Sequence, residues 1–210
     1  MYKRYGINPG EFTPEVALTI LKKGNDRFQN NLKMHRDMLQ QVNMTSENQF
    51  PFAVILSCMD SRTSAELIFD LGLGDIMSIR IGGNIATRSI IGSIEFACKI
   101  AGSKLVLVMG HTNCGAIKGV CDGVGDGNIA VLLNKIKPVL NKQELVSVEE
   151  RHSGNSHYVN RVAELNVHHT ISYIKSMSPV LSSMEKAGQI KFAGALYDVS
   201  TGIVDFYDEG

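Results

Sequence analysis

Ala53-Val54-Ile55-Leu56-Ser57-Cys58-Met59-Asp60-Ser61-Arg62 opens on a β-prone run and closes with a thiol, a carboxylate and a guanidinium at alternate positions. An apolar run without polar alternation is the pattern of a strand covered on both faces. Three more such runs follow, Ile76 to Ile81, Leu105 to Met109 and Ile190 to Tyr197, with helical stretches between them. Thr63-x-x-Glu66 reads as a capping box on a short helix ending near Gly72-Leu73-Gly74, and Ser89 to Ile100 as an amphipathic helix closed by Gly102. Strand and helix alternate, so the expected fold is α/β. It is a single domain whose mainly parallel β-sheet, about four parallel strands, is flanked by helices. Thr201-Gly202 turns the chain into a last strand, Ile203 to Tyr207, which must lie antiparallel at an edge.

Outward from the sheet, residues 1–50 read as an N-terminal helical arm of the same domain and residues 51–210 as the α/β unit. Thr13-Pro14-Glu15 is a helix opening, and Leu18, Leu21 and Phe28 place one apolar stripe on a helix from Pro14 to Asn31. A polar-rich helix is expected from Lys33 to Val42, then a loop from Met44 to Pro51. Beyond Gly115 come a helical turn, a loop containing Gly123, Gly125 and Gly127, a helix from Asn128 to Lys137, and a long helix from Asn155 to Met177 stopped by Pro179.

Composition narrows the function. The 210 residues carry 21 basic and 21 acidic side chains, and this balance offers no long-range field for a phosphate backbone, so no nucleic-acid partner is expected. The longest apolar runs have five residues, against roughly 18 needed to span a bilayer, so no membrane segment is expected. Met1 to Gly10 is basic but has no apolar stretch behind its charges, which speaks against a signal peptide and for a cytoplasmic protein. A chain of this size buries about 70% of its unfolded surface, so neither a disulfide nor a metal is needed to hold the core. The four cysteines, at 58, 98, 114 and 121, are therefore thiols to be explained singly.

In an open parallel sheet, chemistry collects past the carboxyl ends of the strands. The first strand delivers Cys58, Asp60 and Arg62, and the third delivers Gly110-His111-Thr112-Asn113-Cys114-Gly115. These strands are neighbours in a doubly wound order, so Cys58, Asp60, His111 and Cys114 can converge, and two thiolates with an imidazole and a carboxylate suit tetrahedral zinc. Cys98 lies on the apolar face of its helix and reads as a core thiol; Cys121 reads as a spectator. His35, His152, His157, His168 and His169 stand outside any ligand spacing. Gly110-x-x-x-x-Gly115 imitates a phosphate-binding loop, but Ala116-Ile117 replaces the Lys and hydroxyl residue that such a loop requires.

Cys58-x-Asp60-x-Arg62 followed by His111-x-x-Cys114-Gly115 resembles the β-class carbonic anhydrases. Leu21-x-x-Gly24-Asn25-x-Arg27-Phe28 is similar to that family's arm, and Asp75 through Arg80 to Asn84 to its second strand and following loop. The resemblance implies Zn²⁺ held by Cys58, His111 and Cys114, and reversible hydration of carbon dioxide to bicarbonate by zinc-bound hydroxide. Asp60 and Arg62 are implied as the catalytic dyad, with Asp60 a fourth zinc ligand only in a closed site. Gln49, nine residues before Cys58, matches a glutamine that contacts bicarbonate in open members of the family, and the Gly115 backbone is implied to shape the pocket. Closed members carry tryptophan where this chain has Ile55, and the chain has no tryptophan at all, so the open subtype is expected. The resemblance further implies a homodimer or homotetramer in which the arm from Pro14 to Asn31 wraps a partner. Two rivals stand beside this reading: hydrolysis of carbonyl sulfide or carbon disulfide on the same scaffold, and a non-catalytic zinc-binding or redox-sensing module.

Overall fold

The computed structural model describes residues 12–140 and 147–207; the Met1 to Gly10 stretch discussed above lies outside them. In chain order, α1 (Pro14–Gln29) and α2 (Met38–Thr45) precede β1 (Ala53–Ser57), and α3 (Ala65–Ile68), β2 (Ile76–Arg80), α4 (Arg88–Glu95) and β3 (Leu105–His111) follow. Then α5 (Gly115–Cys121), α6 (Gly127–Leu133), α7 (Lys137–Leu140), α8 (Ser156–Met177) and α9 (Pro179–Lys186) lead to β4 (Lys191–Tyr197) and β5 (Val204–Tyr207). The sheet order is β2-β1-β3-β4-β5, with four parallel strands and β5 antiparallel to β4. This is the α/β architecture expected from the alternation of runs.

Strand periodicity divides the core in two. Ala53, Ile55, Leu105, Leu107 and Met109 face α1 and α3, while Val54, Leu56, Val106 and Val108 face α4 and α8. Every residue of β1 and β3 is buried, which is why these segments are continuous apolar runs. On α1, Leu18 and Leu21 are buried against the protomer's own sheet, and each such side chain contributes about 1.5–3 kcal/mol. Gly24 permits this approach: a Cβ there would stand 1.9 Å from the Phe69 carbonyl oxygen.

Several boundaries differ from the expectations. The second helix starts at Met38, not Lys33, because residues before it are bound to Asp70 rather than to one another. Arg27 Nε donates to Asp70 Oδ2 at 2.5 Å, the Met34 amide to the same oxygen at 3.2 Å, and the Arg36 guanidinium to Oδ1 and to the Asp70 carbonyl. Asp37 then caps α2, accepting from the Gln40 amide at 2.9 Å. The helix opened by Thr87 runs as α from Arg88 to Glu95 and continues as a π turn over Phe96–Ile100. The expected helix from Asn128 to Lys137 is two, α6 and α7. Pro179 does end α8, but it also begins α9, whose N-cap is Ser178.

The stripe of α1 is covered by its own sheet, and the exposed apolar side chains lie after it. Leu32, Met38, Leu39, Val42, Met44 and Phe50 all stand in solvent, Leu39 at 78% exposure.

Candidate metal centre

Cys58 follows the last residue of β1, and the parallel register sets Ser57 beside Met109, so Cys58 emerges level with the end of β3. His111 belongs to β3 itself, two residues further than the run Leu105 to Met109 suggested, because it pairs with Tyr197 of β4. The next residues turn sharply. The Thr112 amide donates to the Tyr197 carbonyl at 2.9 Å, and Asn113 is left-handed at φ 58° with its amide donating to Asn160 Oδ1 at 3.1 Å. This turn returns Cys114 towards Cys58.

The two Sγ atoms lie 3.9 Å apart, and they and a His111 ring nitrogen all fall within 4.8 Å of one another. All three residues are buried, and among the described residues they form the one cluster of three or more potential metal ligands. His111 Nδ1 is 2.9 Å from the Thr112 carbonyl oxygen, which places the ring proton there and leaves the lone pair on Nε2. Nε2 is buried with no hydrogen-bond partner. An orphaned imidazole nitrogen beside two thiols is what a soft, tetrahedral cation satisfies. Without a cation the sulfurs divide the charge. Hydrogen bonding from Cys114 holds the Cys58 thiol well below its ordinary range, and the same contact pushes Cys114 up. Zinc, if bound here, would take the place of that shared proton.

The Asp60–Arg62 pair is present and bidentate. Arg62 Nε donates to Oδ1 at 2.9 Å and Nη2 to Oδ2 at 2.8 Å, while the Arg62 amide donates to Oδ1 at 3.0 Å. These bonds hold the Asp60 carboxyl well below the usual carboxylate range. Gly115 opens α5 and is exposed, and a Cβ there would meet nothing within 4 Å. Gln49 lies elsewhere. It lines a cavity of 350 Å³ with Leu73, Gly74 and Asp75, at the amino end of β1. The five residues of β1, about 17 Å at strand rise, separate it from the metal centre of its own chain.

Reading the sequence missed the groups that shape the Cys58 loop. Thr63 is not a helix cap: its hydroxyl donates to the Cys58 and Asp60 carbonyls at 2.8 and 2.9 Å, and Glu66 instead accepts from Ser78. Arg80 Nε donates to the Cys58 carbonyl at 3.3 Å and Nη2 to the Met59 and Asp60 carbonyls. Its place at the carboxyl end of β2, level with Ser57, was the available signal. Burial pushes the Cys98 and Cys121 thiols up, to about 12 and about 11, so both stay protonated spectators.

A family model described as carbonic anhydrase matches residues 53–204. Carbonic anhydrase 2 of Mycobacterium tuberculosis is 31% identical over 192 residues, covering 90% of each chain. The Mycolicibacterium smegmatis carbonic anhydrase is 28% identical over 193 residues, 91% of this chain and 92% of that one. Among solved structures, a β-carbonic anhydrase of Aspergillus fumigatus has a TM-score of 0.71 at 24% identity over 93% of this chain and 91% of its own. A Coccomyxa β-carbonic anhydrase, solved with acetazolamide, has a TM-score of 0.69 at 23% identity over 78% of this chain and 74% of its own. The sheet, the cluster of Cys58, His111 and Cys114 at its strand ends and these likenesses define a carbonic anhydrase. The chain belongs to the β class of that family, whose cofactor is zinc.

Proposed function

We propose that this protein interconverts carbon dioxide and bicarbonate, with zinc held by Cys58, His111 and Cys114. The single observation that carries the ligand assignment is the orphaned, buried His111 Nε2 beside two sulfurs 3.9 Å apart. Zinc, when bound, supplies a Lewis acid that makes hydroxide available near neutral pH. The chain's own residues do the rest. Arg62 grips both oxygens of Asp60 and keeps that carboxylate from closing the site, so the site stands open. An oxygen of Asp60 retains a lone pair to accept a hydrogen bond from the attacking hydroxide, aiming it at the carbon of carbon dioxide. A carbon–oxygen bond would form as one carbon–oxygen π bond of carbon dioxide gives its electron pair to oxygen, bicarbonate would leave, and the proton lost by water in supplying the hydroxide would pass to buffer. The space beside Gly115 admits the substrate.

Gln49 cannot serve its own centre from the far end of β1, so in this reading it contacts bicarbonate in the site of a second copy. The exposed apolar residues from Leu32 to Phe50 supply the contact surface for such a homodimer, which two copies can extend to a tetramer. Residues 1–50 then act as the arm of the zinc-binding domain 51–210, and the family match beginning at residue 53 supports that division. Free thiolate ligands suit a reducing, cytoplasmic compartment, and no helix among the described residues is long and apolar enough to cross a membrane.

The test is stopped-flow hydration with metal analysis. One zinc per chain is expected, with most of it lost in Cys58→Ser, His111→Ala or Cys114→Ser; full zinc in Cys114→Ser refutes the ligand set. Hydrogen sulfide release from carbonyl sulfide without hydration would move the protein to the hydrolase rival, and stoichiometric zinc with neither activity to the binding module. Gln49→Ala should keep zinc and lose activity, and mixed oligomers of Gln49→Ala with Cys114→Ser should regain part of it. A fully active monomer would exclude the trans arrangement.

A further inference from the structure

The turn after β2 carries a buried arrangement that none of the assigned roles uses. Gly83 is left-handed, at φ 66° and ψ 22°, and its amide donates to Cys58 Sγ at 3.4 Å. A larger residue would be strained here: a Cβ would stand 2.6 Å from Ile136 Cδ1 and 3.3 Å from Ala116 Cβ. The carbonyl of the same residue accepts from Asn166 Nδ2 at 2.8 Å. Asn166 projects from the middle of α8, is fully buried, and leaves its Oδ1 without a partner. A buried primary amide so incompletely satisfied is destabilising by itself, and an apolar residue of similar volume would pack at lower cost. Its one bond lands on the residue whose N–H faces a metal-ligating sulfur.

We propose that Asn166 is a positioning residue for the metal centre, holding the Gly83 carbonyl so that the Gly83 N–H stays aimed at Cys58 Sγ. The inference rests on the reading of Cys58 as a zinc ligand. An N–H donated to a thiolate draws charge out of the sulfur. Two thiolates already offset the charge of Zn²⁺, so this withdrawal keeps the cation a stronger Lewis acid than the ligand set alone would leave it. The amide is anchored because α8 lies close against β3 here: a Cβ on Gly110 would meet Val167 Cγ2 at 2.9 Å and the Ala163 carbonyl oxygen at 3.4 Å.

The experiment uses the full chain loaded with an NMR-active cadmium isotope and labelled with nitrogen-15. A scalar coupling from cadmium to the Gly83 amide proton is expected in the wild-type protein, transmitted through the N–H···S bond; its absence overturns the proposal without any variant. In cobalt-loaded Asn166→Leu, the sulfur-to-cobalt charge-transfer band should shift, and metal should pass to a chelator about 10–100-fold faster. Ile174→Val, a buried position two turns further along α8, should lower stability while leaving the band in place, which separates positioning from packing. An unchanged band and transfer rate in Asn166→Leu overturn the proposal. A wild-type chain that takes up no cadmium or cobalt overturns the ligand assignment itself, and this inference with it.

Discussion

Asp60 and Asp70 are both gripped by arginine, and the two grips differ in every physical respect. Arg62 lies two residues from Asp60, its side chain is 45% exposed, and both carboxylate oxygens point to one guanidinium. Asp70 has 2% of its side chain exposed and is reached by Arg27 and Arg36 from distant sequence, plus the Met34 amide. A pair at the surface is worth little to folding, because water screens it and either partner solvates well alone. A buried carboxylate cannot be left alone without a large penalty. The local, exposed pair is thus free to act on chemistry, while the remote, buried one ties the segment after α1 to the loop after α3.

Substitution should separate the two roles. Asp70→Ala strands two guanidinium groups and is expected to lower unfolding free energy by about 3–5 kcal/mol in denaturant titration; a change below about 1 kcal/mol, the surface range, would erase the contrast. Arg62→Ala should keep zinc and stability yet lose about 100-fold or more in hydration, roughly 2.7 kcal/mol of barrier, because the released carboxylate can occupy the metal. Full activity in that variant breaks the assignment of the pair to catalysis. The pH axis sharpens the contrast further. At Asp70, burial raises the pKa, but the bonds from Arg36, Arg27 and Met34 outweigh it and the value is lowered. Stability from Asp70 is therefore complete above the ordinary aspartate value of about 3.9 and fades as pH falls through the lowered folded value. Acid titration of Asp70→Asn should lack that step. Cys98→Ser, distant from both pairs, should retain metal and activity and cost only about 1–3 kcal/mol, for a buried hydroxyl.

The central sheet could be read from the chain because strands buried on both faces leave uninterrupted apolar runs, as at Ala53 to Ser57. The clustered side chains were readable because strand ends in a doubly wound sheet place residues by topology: Cys58 and His111 needed no knowledge of loops, whereas Cys114 depends on the turn through Asn113. The start of α2 was hidden because the bonds that keep Met34 and Arg36 out of a helix end on Asp70, and helical periodicity is blind to partners that far away. Thr63 showed the same failure at short range: its spacing to Glu66 imitates a cap, while its hydroxyl is taken by the Cys58 and Asp60 carbonyls. Sequence order also concealed that Gln49, only nine residues from Cys58, stands at the opposite end of the sheet, since a strand separates what it connects.

The pairing of the Thr112 amide with the Tyr197 carbonyl, and of the Thr112 hydroxyl with Asp198, bears on the order of biosynthesis. All three proposed ligand side chains leave the ribosome well before β4 exists, but the turn between His111 and Cys114, held also by Asn160 of α8, is fully secured only when that late strand docks on β3. A nascent chain halted ahead of Lys191 would carry every donor and lack the clamp that spaces them. Metal loading is therefore expected to come after translation of the sheet is finished, on a scaffold already folded, so that a chelator can empty the centre and zinc refill it without a round of unfolding.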